Sequence, residues 1–401
     1  MGGEKGREPR LRAARLKRHH RLCGFHCRGG VRSPRYLYIT AAIVGVKTAS
    51  LFMSLEHVST ADIVSAPLET LPIALPERVT FSRNVFVPVT NICRNACGYC
   101  GFRRDIGDAE ARLMASAEVE TLLRKAKEAD CTEALFTFGE RPQEVAGFVE
   151  KLRTLGYESF IAYLYDLCAT AIDIGLLPHS NPGILTFDEL EWLKPVNASM
   201  GLMLETTAAV DAHRGCAGKE PELRVWTIED AGKLHVPFTT GLLIGIGEDW
   251  GDRIRSLELL AELQNRYRHL QEVIIQPFVP KPGTRMADVS GPRREVLIRT
   301  VALARHLLPN DVAVQVPPNL IEVAPLLCVG ASDLGGMSPV TVDYINPEHV
   351  WPDVADLGVA LTERLPIYPQ YVRAGWYSEA LAPLIEALAD ERGFRKNREA
   401  E

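Results

Sequence analysis

The sequence lacks three features that would place it in common classes of protein. Its longest apolar stretch, residues 36–53, is interrupted by Lys47, so it falls short of the about 20 largely uncharged residues that a membrane span needs. Its nine cysteines are irregularly spaced, which does not suit a disulfide framework in a chain of 401 residues. No further Cys-x-x-Cys pair follows Cys97 and Cys100, so a four-thiolate zinc ribbon is excluded. We therefore expect a protein of the reducing cytoplasm with no membrane partner.

Positive charge is concentrated at the start of the chain. Residues 1–36 carry eleven Lys or Arg and only two Glu, although the whole chain has a formal net charge of −6. Such an arm could bind nucleic acid or an anionic surface. We favour a disordered leader, or translation from a misplaced start upstream of Met53, and expect no nucleic-acid partner. Residues 1–70 are predicted as a basic extension and linker, and residues 79–395 as the folded domain.

From Val79 onward, short apolar runs alternate with longer amphipathic stretches, a pattern typical of repeated βα units. The predicted strands are Asn84–Val89, Glu133–Phe138, Phe160–Leu164, Ala198–Leu204, Pro237–Ile244, Glu272–Gln276, Val312–Val316 and Leu326–Val329. The predicted helices are Ala117–Glu128, Pro142–Leu155, Phe187–Leu193, Ile228–Leu234, Arg253–Tyr267 and Arg293–Leu307. Eight strands separated by helices predict an α/β fold, a closed or nearly closed (βα)8 barrel of the TIM type, with its site at the C-terminal ends of the strands.

Three cysteines, Cys93, Cys97 and Cys100, come directly after the first predicted strand. They are one ligand short of a structural zinc site, but they suit an iron–sulfur cluster in which one iron stays open to another ligand. Placed on the first βα loop, the cluster would lie at the face of the barrel that carries chemistry. Four other cysteines lack ligand spacing and are interpreted as core or incidental residues: Cys131, Cys168, Cys216 and Cys328.

The order Cys93, Cys97, Tyr99, Cys100 resembles the Cys-x-x-x-Cys-x-aromatic-Cys signature of the radical S-adenosylmethionine (SAM) superfamily. The resemblance implies a 4Fe–4S cluster held by the three cysteines, with SAM bound to the open iron as cosubstrate. In that superfamily an electron from the cluster cleaves SAM, and the resulting 5′-deoxyadenosyl radical removes a hydrogen atom from the substrate.

Residues at other strand ends resemble the SAM contacts of that superfamily. Gly139 and Glu140 match its Gly-Gly-Glu motif, which binds the SAM amino group, although Phe138 replaces the first glycine. Glu205 could accept hydrogen bonds from ribose or ammonium groups, and the guanidinium of Arg224 suits the SAM carboxylate. With a glycine-rich turn after the fifth predicted strand, the expected cofactor contacts are Tyr99, Gly139, Glu140, Glu205, Arg224, Gly245, Gly247 and Glu248.

Longer segments resemble one family within the superfamily, the first subunit of 7,8-didemethyl-8-hydroxy-5-deazariboflavin synthase (the CofG family). They are residues 80–102, 176–183, 276–278, 330–341 and 346–348. The resemblance implies a lyase that converts 5-amino-5-(4-hydroxybenzyl)-6-(D-ribitylimino)-5,6-dihydrouracil to the deazaflavin Fo. Ring closure would release ammonia, and SAM would give 5′-deoxyadenosine and methionine. His179, Asn181 and Asp333 could bind this polar substrate, and His179 could also move a proton.

The family resemblance also implies partners. A second radical SAM subunit (CofH-like), encoded separately, would supply the substrate by joining tyrosine to a ribitylaminouracil, and an electron donor would reduce the cluster. The alternatives are that partner subunit itself, a menaquinone-pathway enzyme or a biotin-synthase-like enzyme. A non-catalytic iron–sulfur electron carrier is a further alternative, although it would lack the fourth cysteine of a ferredoxin.

Overall fold

The computed structural model describes Leu55 and residues 58–396, and in this part of the chain a parallel sheet closes into a barrel. Strands β1 to β8 follow one another around the barrel, and β1 closes it by pairing with both β2 and β8. The strands are β1 (Val79–Thr90), β2 (Glu133–Phe138), β3 (Leu177–Asn181), β4 (Ser199–Gly201), β5 (Phe238–Ile244), β6 (Leu270–Pro277), β7 (Ala313–Gln315), β8 (Asp333–Met337) and β9 (Leu361–Arg364). The predicted (βα)8 architecture is confirmed.

Helices connect the consecutive strands from β1 to β8, as parallel connections require. With one helix before β1 and two after β9, the helices of the described residues are α1 (Thr60–Ser65), α2 (Ser116–Glu128), α3 (Phe148–Arg153), α4 (Phe160–Ile174), α5 (Phe187–Leu193), α6 (Pro221–Lys233), α7 (Trp250–Tyr267), α8 (Arg294–Leu307), α9 (Val323–Cys328), α10 (Pro369–Ala374) and α11 (Ala382–Leu388). Polar caps fix several helix starts: Asp249 accepts a hydrogen bond from the Asp252 amide at the start of α7. None of the helices in the described residues is long and apolar enough to span a membrane.

The core lies between the strands and the helices around them. Every residue of β5 is buried, because a strand in the middle of a parallel barrel is covered on both faces. This two-sided burial explains why the strands appear in the sequence as continuous apolar runs. Short helix α1 is also part of this core through the fully buried Ile63, and Arg299 of α8 donates a hydrogen bond to the Ile63 carbonyl at 2.8 Å.

Two predicted strands are wrong. Residues 160–164 form the first turns of α4, because Ser159 caps a helix there and the buried side chains recur at helical spacing. Residues 326–329 overlap the end of α9. A short apolar run fits a buried helix as well as a buried strand, so its composition did not separate the two.

Strands β3, β8 and β9 were not predicted from the sequence. These strands are short and contain proline, glycine or charged residues, which weaken a strand pattern. β9 pairs with the first residues of β1, at the N-terminal end of the barrel, while β2 pairs with the last residues of β1. β9 thereby adds a charged residue, Arg364, to the N-terminal end of the barrel interior, which we call the barrel floor.

The predicted extension and linker are described only in part. Within residues 1–70, α1 packs on the barrel, whereas the basic arm, the thiols Cys23 and Cys27, and the apolar stretch 36–53 lie outside the described residues. The domain boundaries stay a prediction.

Candidate active site

One cavity of about 430 Å³ runs through the barrel from the loops after the strands toward their N-terminal ends. Its volume is typical of a small-molecule site. Ten of the predicted site residues line it: Cys93, Cys97, Tyr99, Cys100, Gly139, Glu140, His179, Asn181, Glu205 and Arg224. Four others do not: Gly245, Gly247, Glu248 and Asp333.

The loop that carries the three cysteines is held by the end of β2. The Glu140 amide donates to the Cys93 sulfur at 3.1 Å, and the Glu140 carbonyl accepts from the Arg94 amide at 3.1 Å. Gly139 permits this approach, because a β-carbon there would lie 2.0 Å from the Ile92 carbonyl oxygen. The Gly-Glu pair therefore supports the thiol loop as well as lining the cavity.

The thiol set fits the predicted cluster. Cys93, Cys97 and Cys100 are free, partly exposed thiols in the wall of the same cavity. No three His, Cys, Asp or Glu side chains in the described part of the chain converge on a point where a single metal ion would bind. A 4Fe–4S cluster needs a different ligand arrangement, since its irons occupy separate corners and its thiolate ligands surround it. Three free thiols that line one cavity fit this arrangement.

A fourth cysteine lies beside this loop. The thiols of Cys97 and Cys216 interact, which raises the pKa of Cys97 and lowers that of Cys216. Cys216 is buried in the loop between β4 and α6. The prediction that it is a core or incidental residue therefore misses its contact with the cluster loop. Its distance of 119 residues from Cys97 in the sequence gave no spacing signal.

Glu140 and Arg224 form a buried ion pair in the cavity wall. Their closest atoms, Glu140 Oε2 and Arg224 Nη1, are 2.9 Å apart, and Arg224 also donates to the carbonyls of Met203 at 2.6 Å and Gly218 at 2.8 Å. Burial alone would raise the pKa of Glu140, but Arg224 and Lys219 outweigh it and lower that pKa. Both partners therefore stay charged.

Gly218 makes room for this pair. A β-carbon at this position would lie 1.4 Å from Glu140 Oε1, and the Gly218 amide donates to Asn95 Oδ1 at 3.1 Å. Asn95 in turn donates from Nδ2 to Glu140 Oε1 at 2.8 Å. The loop before α6, the cysteine loop and the end of β2 are thus joined through one carboxylate.

Glu205 is the centre of a second charged group. It accepts from the Tyr99 hydroxyl, and its two oxygens lie 2.8 Å from His213 Nε2 and 2.5 Å from Lys219 Nζ. Although burial alone would raise the pKa of Glu205, Lys219, the His213 hydrogen bond and Arg224 lower it well below the usual range. Its main chain adopts a left-handed conformation, φ 67°, where β4 leaves the barrel. The arrangement can hold a ligand that carries both charged and hydroxyl groups.

Sequence reasoning missed Lys219 and His213. Both lie in the loop that follows β4, at the same end of the barrel as the cysteine loop. Their position between the predicted Glu205 and Arg224 was the available signal. Their contacts with Glu205 depend on how the loop folds back, which residue spacing does not specify.

The turn after β5 has an internal role in the structure. Glu248 accepts hydrogen bonds from the amides of Gly245 and Ile246, both at 2.8 Å, and pairs with Arg253 at 2.8 Å. Its carboxylate therefore holds the turn, outside the cavity wall. Ile246 is buried in a small apolar cluster that Tyr99 packs against. A cofactor contact by Gly245, Gly247 and Glu248 stays a prediction, with the main chain as the available surface of this turn.

His179 lines the cavity beside the Asn181 side chain. Its Nδ1 lies 2.6 Å from Ser199 Oγ, and that hydroxyl donates its single hydrogen to the Pro366 carbonyl at 2.8 Å. We therefore assign the His179 proton to Nδ1, which leaves Nε2 as the acceptor. Burial and Arg364 lower the pKa of His179 to about 4, so the ring is neutral near pH 7. A role for His179 and Asn181 in substrate binding stays a prediction.

Asp333 has a different position from the one its predicted role requires. It is completely buried outside the cavity wall and makes a two-atom ion pair with Arg364, with Nε and Nη2 of Arg364 at 2.7 and 2.9 Å. The Gly335 amide, at 2.6 Å, and the Thr80 hydroxyl also donate to it. With four donors, its carboxylate is saturated and has no oxygen left to bind substrate. The structure thus favours a structural role for Asp333.

Comparisons with known proteins agree with this geometry. Residues 87–260 match the family model described as the radical SAM superfamily. A 7,8-didemethyl-8-hydroxy-5-deazariboflavin synthase of Methanosarcina mazei is 58% identical over 323 residues, which are 79% of this chain and 96% of that protein. The protein of the same name from Archaeoglobus fulgidus is 50% identical over 326 residues, 79% of this chain and 99% of that protein.

Solved structures with low sequence identity support the fold alone. The FeFe-hydrogenase maturase HydG from Carboxydothermus hydrogenoformans superposes with a TM-score of 0.59 at 15% identity, covering 88% of this chain and 91% of that one. Methylornithine synthase gives a TM-score of 0.53 at 18% identity, covering 66% and 74%. The thiol loop, the barrel and the high identity over nearly the full length of its relatives lead to one conclusion: the chain belongs to the 7,8-didemethyl-8-hydroxy-5-deazariboflavin synthase family of radical SAM enzymes.

Proposed function

We propose that this protein makes the deazaflavin Fo from 5-amino-5-(4-hydroxybenzyl)-6-(D-ribitylimino)-5,6-dihydrouracil, as a lyase that breaks a carbon–nitrogen bond and releases ammonia. One observation carries the proposal: a single cavity joins the three thiols to a polar barrel floor. A substrate in this cavity could therefore reach the cofactors without leaving the barrel. The names of the relatives support the product.

The cavity has a distinct surface for each part of the reaction. Cys93, Cys97 and Cys100 would hold the 4Fe–4S cluster, and bound cluster and SAM together supply the one-electron chemistry that removes hydrogen from the substrate. Arg224 presents a guanidinium to the SAM carboxylate, and Glu205 presents a carboxylate to SAM hydroxyl or ammonium groups. These contacts are proposals for this chain.

Deeper in the barrel, the wall suits the two kinds of surface on the substrate. Apolar side chains such as Phe86, Leu135 and Ile274 would pack against the phenol ring, while His179 Nε2 would accept a hydrogen bond from the ribityl chain or the uracil. A substrate bound within the barrel would be shielded from water, which protects reactive groups. We further propose that a separately encoded partner subunit supplies the substrate and that an external donor reduces the cluster.

The test uses anaerobically reconstituted full-length protein, dithionite and SAM, with and without the tyrosine–uracil adduct. We expect 5′-deoxyadenosine and a fluorescent deazaflavin to form together, and only when the adduct is present. Deoxyadenosine without deazaflavin would move the substrate to a sister family. Tyrosine with 5-amino-6-(D-ribitylamino)uracil serves as the control, since product from that pair would indicate the coupling subunit.

A further inference from the structure

The barrel floor holds more acidic than basic groups. Glu133 of β2, Glu272 of β6 and Asp333 of β8 are all buried at the N-terminal end of the barrel. Among the residues that the structure describes, Arg364 of β9 is the cation that contacts this group: it pairs with Asp333 and lies 3.2 Å from Glu272. Burying three ionised carboxylates beside one guanidinium is costly, so the group favours a state in which one carboxyl keeps its proton.

Hydrogen bonds single out the carboxyl that keeps the proton. Asp333 has four donors, as described above. Glu272 has three: the hydroxyls of Thr239 and Tyr368, at 2.8 and 2.7 Å, and Arg364. Each donor stabilises the ionised form. Asp333 therefore has a saturated set of partners, and Glu272 has three donors that hold it in place.

Glu133 has fewer donors than either. Like Glu272 it is 6% exposed and lines the cavity, but the Ser82 hydroxyl on Oε2 is its sole hydrogen-bond donor among the described residues. One of its oxygens is therefore left for a ligand in the cavity. Glu133 combines the poorest stabilisation of its charge with direct access to the substrate.

We propose that Glu133 is the catalytic residue that carries a proton to the departing amine, an inference that rests on the proposed function. The carbon–nitrogen bond breaks with its electron pair going to nitrogen, and the nitrogen takes the proton of the neutral Glu133 carboxyl and leaves as ammonia. The resulting Glu133 carboxylate then takes a proton from the neighbouring ring atom as the new ring double bond forms. Glu133 ends in its starting state, and this step needs no oxidant, because the accompanying oxidation is supplied by SAM cleavage.

The surroundings of Glu133 suit this task. Burial raises its pKa to about 7, against the lowering effects of Arg364 and Ser82, while Glu272 and Asp333 raise it further. His179, on the adjacent strand β3, has its pKa lowered and faces the same cavity as a neutral ring. A proton carrier is most effective when its pKa lies near the working pH.

The test compares Glu133→Gln with the parent enzyme, measuring deoxyadenosine and deazaflavin separately from pH 5.5 to 8.5. Gln keeps the size of the side chain but cannot exchange a proton. We expect deoxyadenosine formation to continue with adduct present, while deazaflavin formation falls about 100-fold, typical of a lost general acid–base. The inflection near pH 7 in the deazaflavin rate should disappear.

Two matched variants separate proton transfer from a structural role. Glu133→Asp should retain the inflection at a reduced rate, because a carboxyl is still present. Glu272→Gln should move the inflection to lower pH, because it removes a negative charge that raises the pKa of Glu133. A fixed inflection in Glu272→Gln would contradict the proposed assignment.

The outcomes also distinguish a failure of the proposed role of Glu133 from a failure of the proposed function on which that role rests. If the parent enzyme makes no deazaflavin from the adduct, the proposed function fails. If the parent makes it and folded Glu133→Gln has the same rate and pH profile, the inference alone fails. Loss of both products in folded Glu133→Gln would also overturn the inference, since Glu133 would then be needed to bind the substrate.

Discussion

The pKa values of buried carboxylates shift in opposite directions at the two ends of the cavity. At the cofactor end, Glu140 and Glu205 lie among Arg224, Lys219 and His213, and the pKa of each carboxylate is lowered. At the floor, the carboxylates outnumber the one guanidinium that contacts them in the described part of the chain, and the pKa values of Glu133 and Glu272 are raised. Burial acts in the same direction at both ends, so the number of nearby cations decides the outcome.

This difference fits two tasks within one barrel. Fixed charges at the cofactor end can orient a charged cosubstrate and gain nothing from titrating. An acid that is close to neutrality at the floor can exchange a proton with the substrate. Variants at the cofactor end should therefore reduce the formation of both 5′-deoxyadenosine and deazaflavin, whereas Glu133→Gln should reduce only that of deazaflavin.

The largest effect is expected from Cys93→Ala, Cys97→Ala or Cys100→Ala. Two remaining thiolates do not hold a cluster with one open iron, so iron content and deoxyadenosine formation should both fall to background. Iron and sulfide analysis with deoxyadenosine measurement checks this. Cys131→Ala is the matched control, because Cys131 is a buried cysteine outside the cavity wall. Full activity in a loop variant would end the cluster assignment.

A smaller effect is expected from Arg224→Lys, which keeps the charge but loses the planar fork of donors. The KM for SAM should rise on the order of 10-fold, the size of one charge-assisted hydrogen bond, while iron content is unchanged. Steady-state kinetics at saturating adduct measure this change. Arg224→Ala is less informative, since it leaves the buried Glu140 unpaired. Equal losses of iron and SAM affinity in Arg224→Lys would instead indicate a folding role.

The stability of the two ends should respond oppositely to pH. Burial raises the pKa of Glu133 in the folded protein from 4.5 to about 7, so the native state holds more protons than the unfolded chain between these values. The free energy of unfolding contributed by Glu133 therefore falls as pH rises through that window. Relative to the parent, Glu133→Gln should become more stable by about 1–3 kcal/mol between pH 4.5 and 7, measured by denaturant unfolding at each pH.

Glu205→Gln is the counterpart at the cofactor end. The folded pKa of Glu205 is lowered, so its contribution to stability is present above pH 4.5 and is lost as pH falls. This variant should be less stable than the parent at pH 7, with the gap narrowing in acid. A change in stability in the same direction in Glu133→Gln and Glu205→Gln would contradict the expected difference between the two ends of the cavity.

The smallest effect is expected from Cys216→Ser. Serine keeps a hydrogen-bonding group beside Cys97, and Cys216 lies outside the cysteine motif. Iron content and deoxyadenosine formation should change by no more than a few-fold, as measured on reconstituted protein. A loss of iron as large as that expected for Cys97→Ala would instead indicate that Cys216 is a ligand of the cluster.

Strands with compact apolar runs could be predicted from the sequence, whereas strands without such runs could not. β2 was predicted with its observed bounds, because it is a compact run of β-branched, aromatic and apolar residues. β3, with a proline, a histidine and an asparagine, and β8, with two glycines, carry little strand signal. Pairing with their neighbours in the barrel stabilises them instead.

By itself, the sequence determined the parts of this protein whose chemistry is local. The spacing of Cys93, Cys97 and Cys100 fits within one loop, and alternating strand and helix patterns specify a parallel barrel. Only the tertiary structure decided the partners of the buried charges. Arg364 reaches Asp333 and Glu272 because β9 pairs with β1, and Glu133 is left with one donor because its neighbours in space bind each other. The pKa of a buried group depends on such three-dimensional neighbours, which lie tens to hundreds of residues away in the sequence.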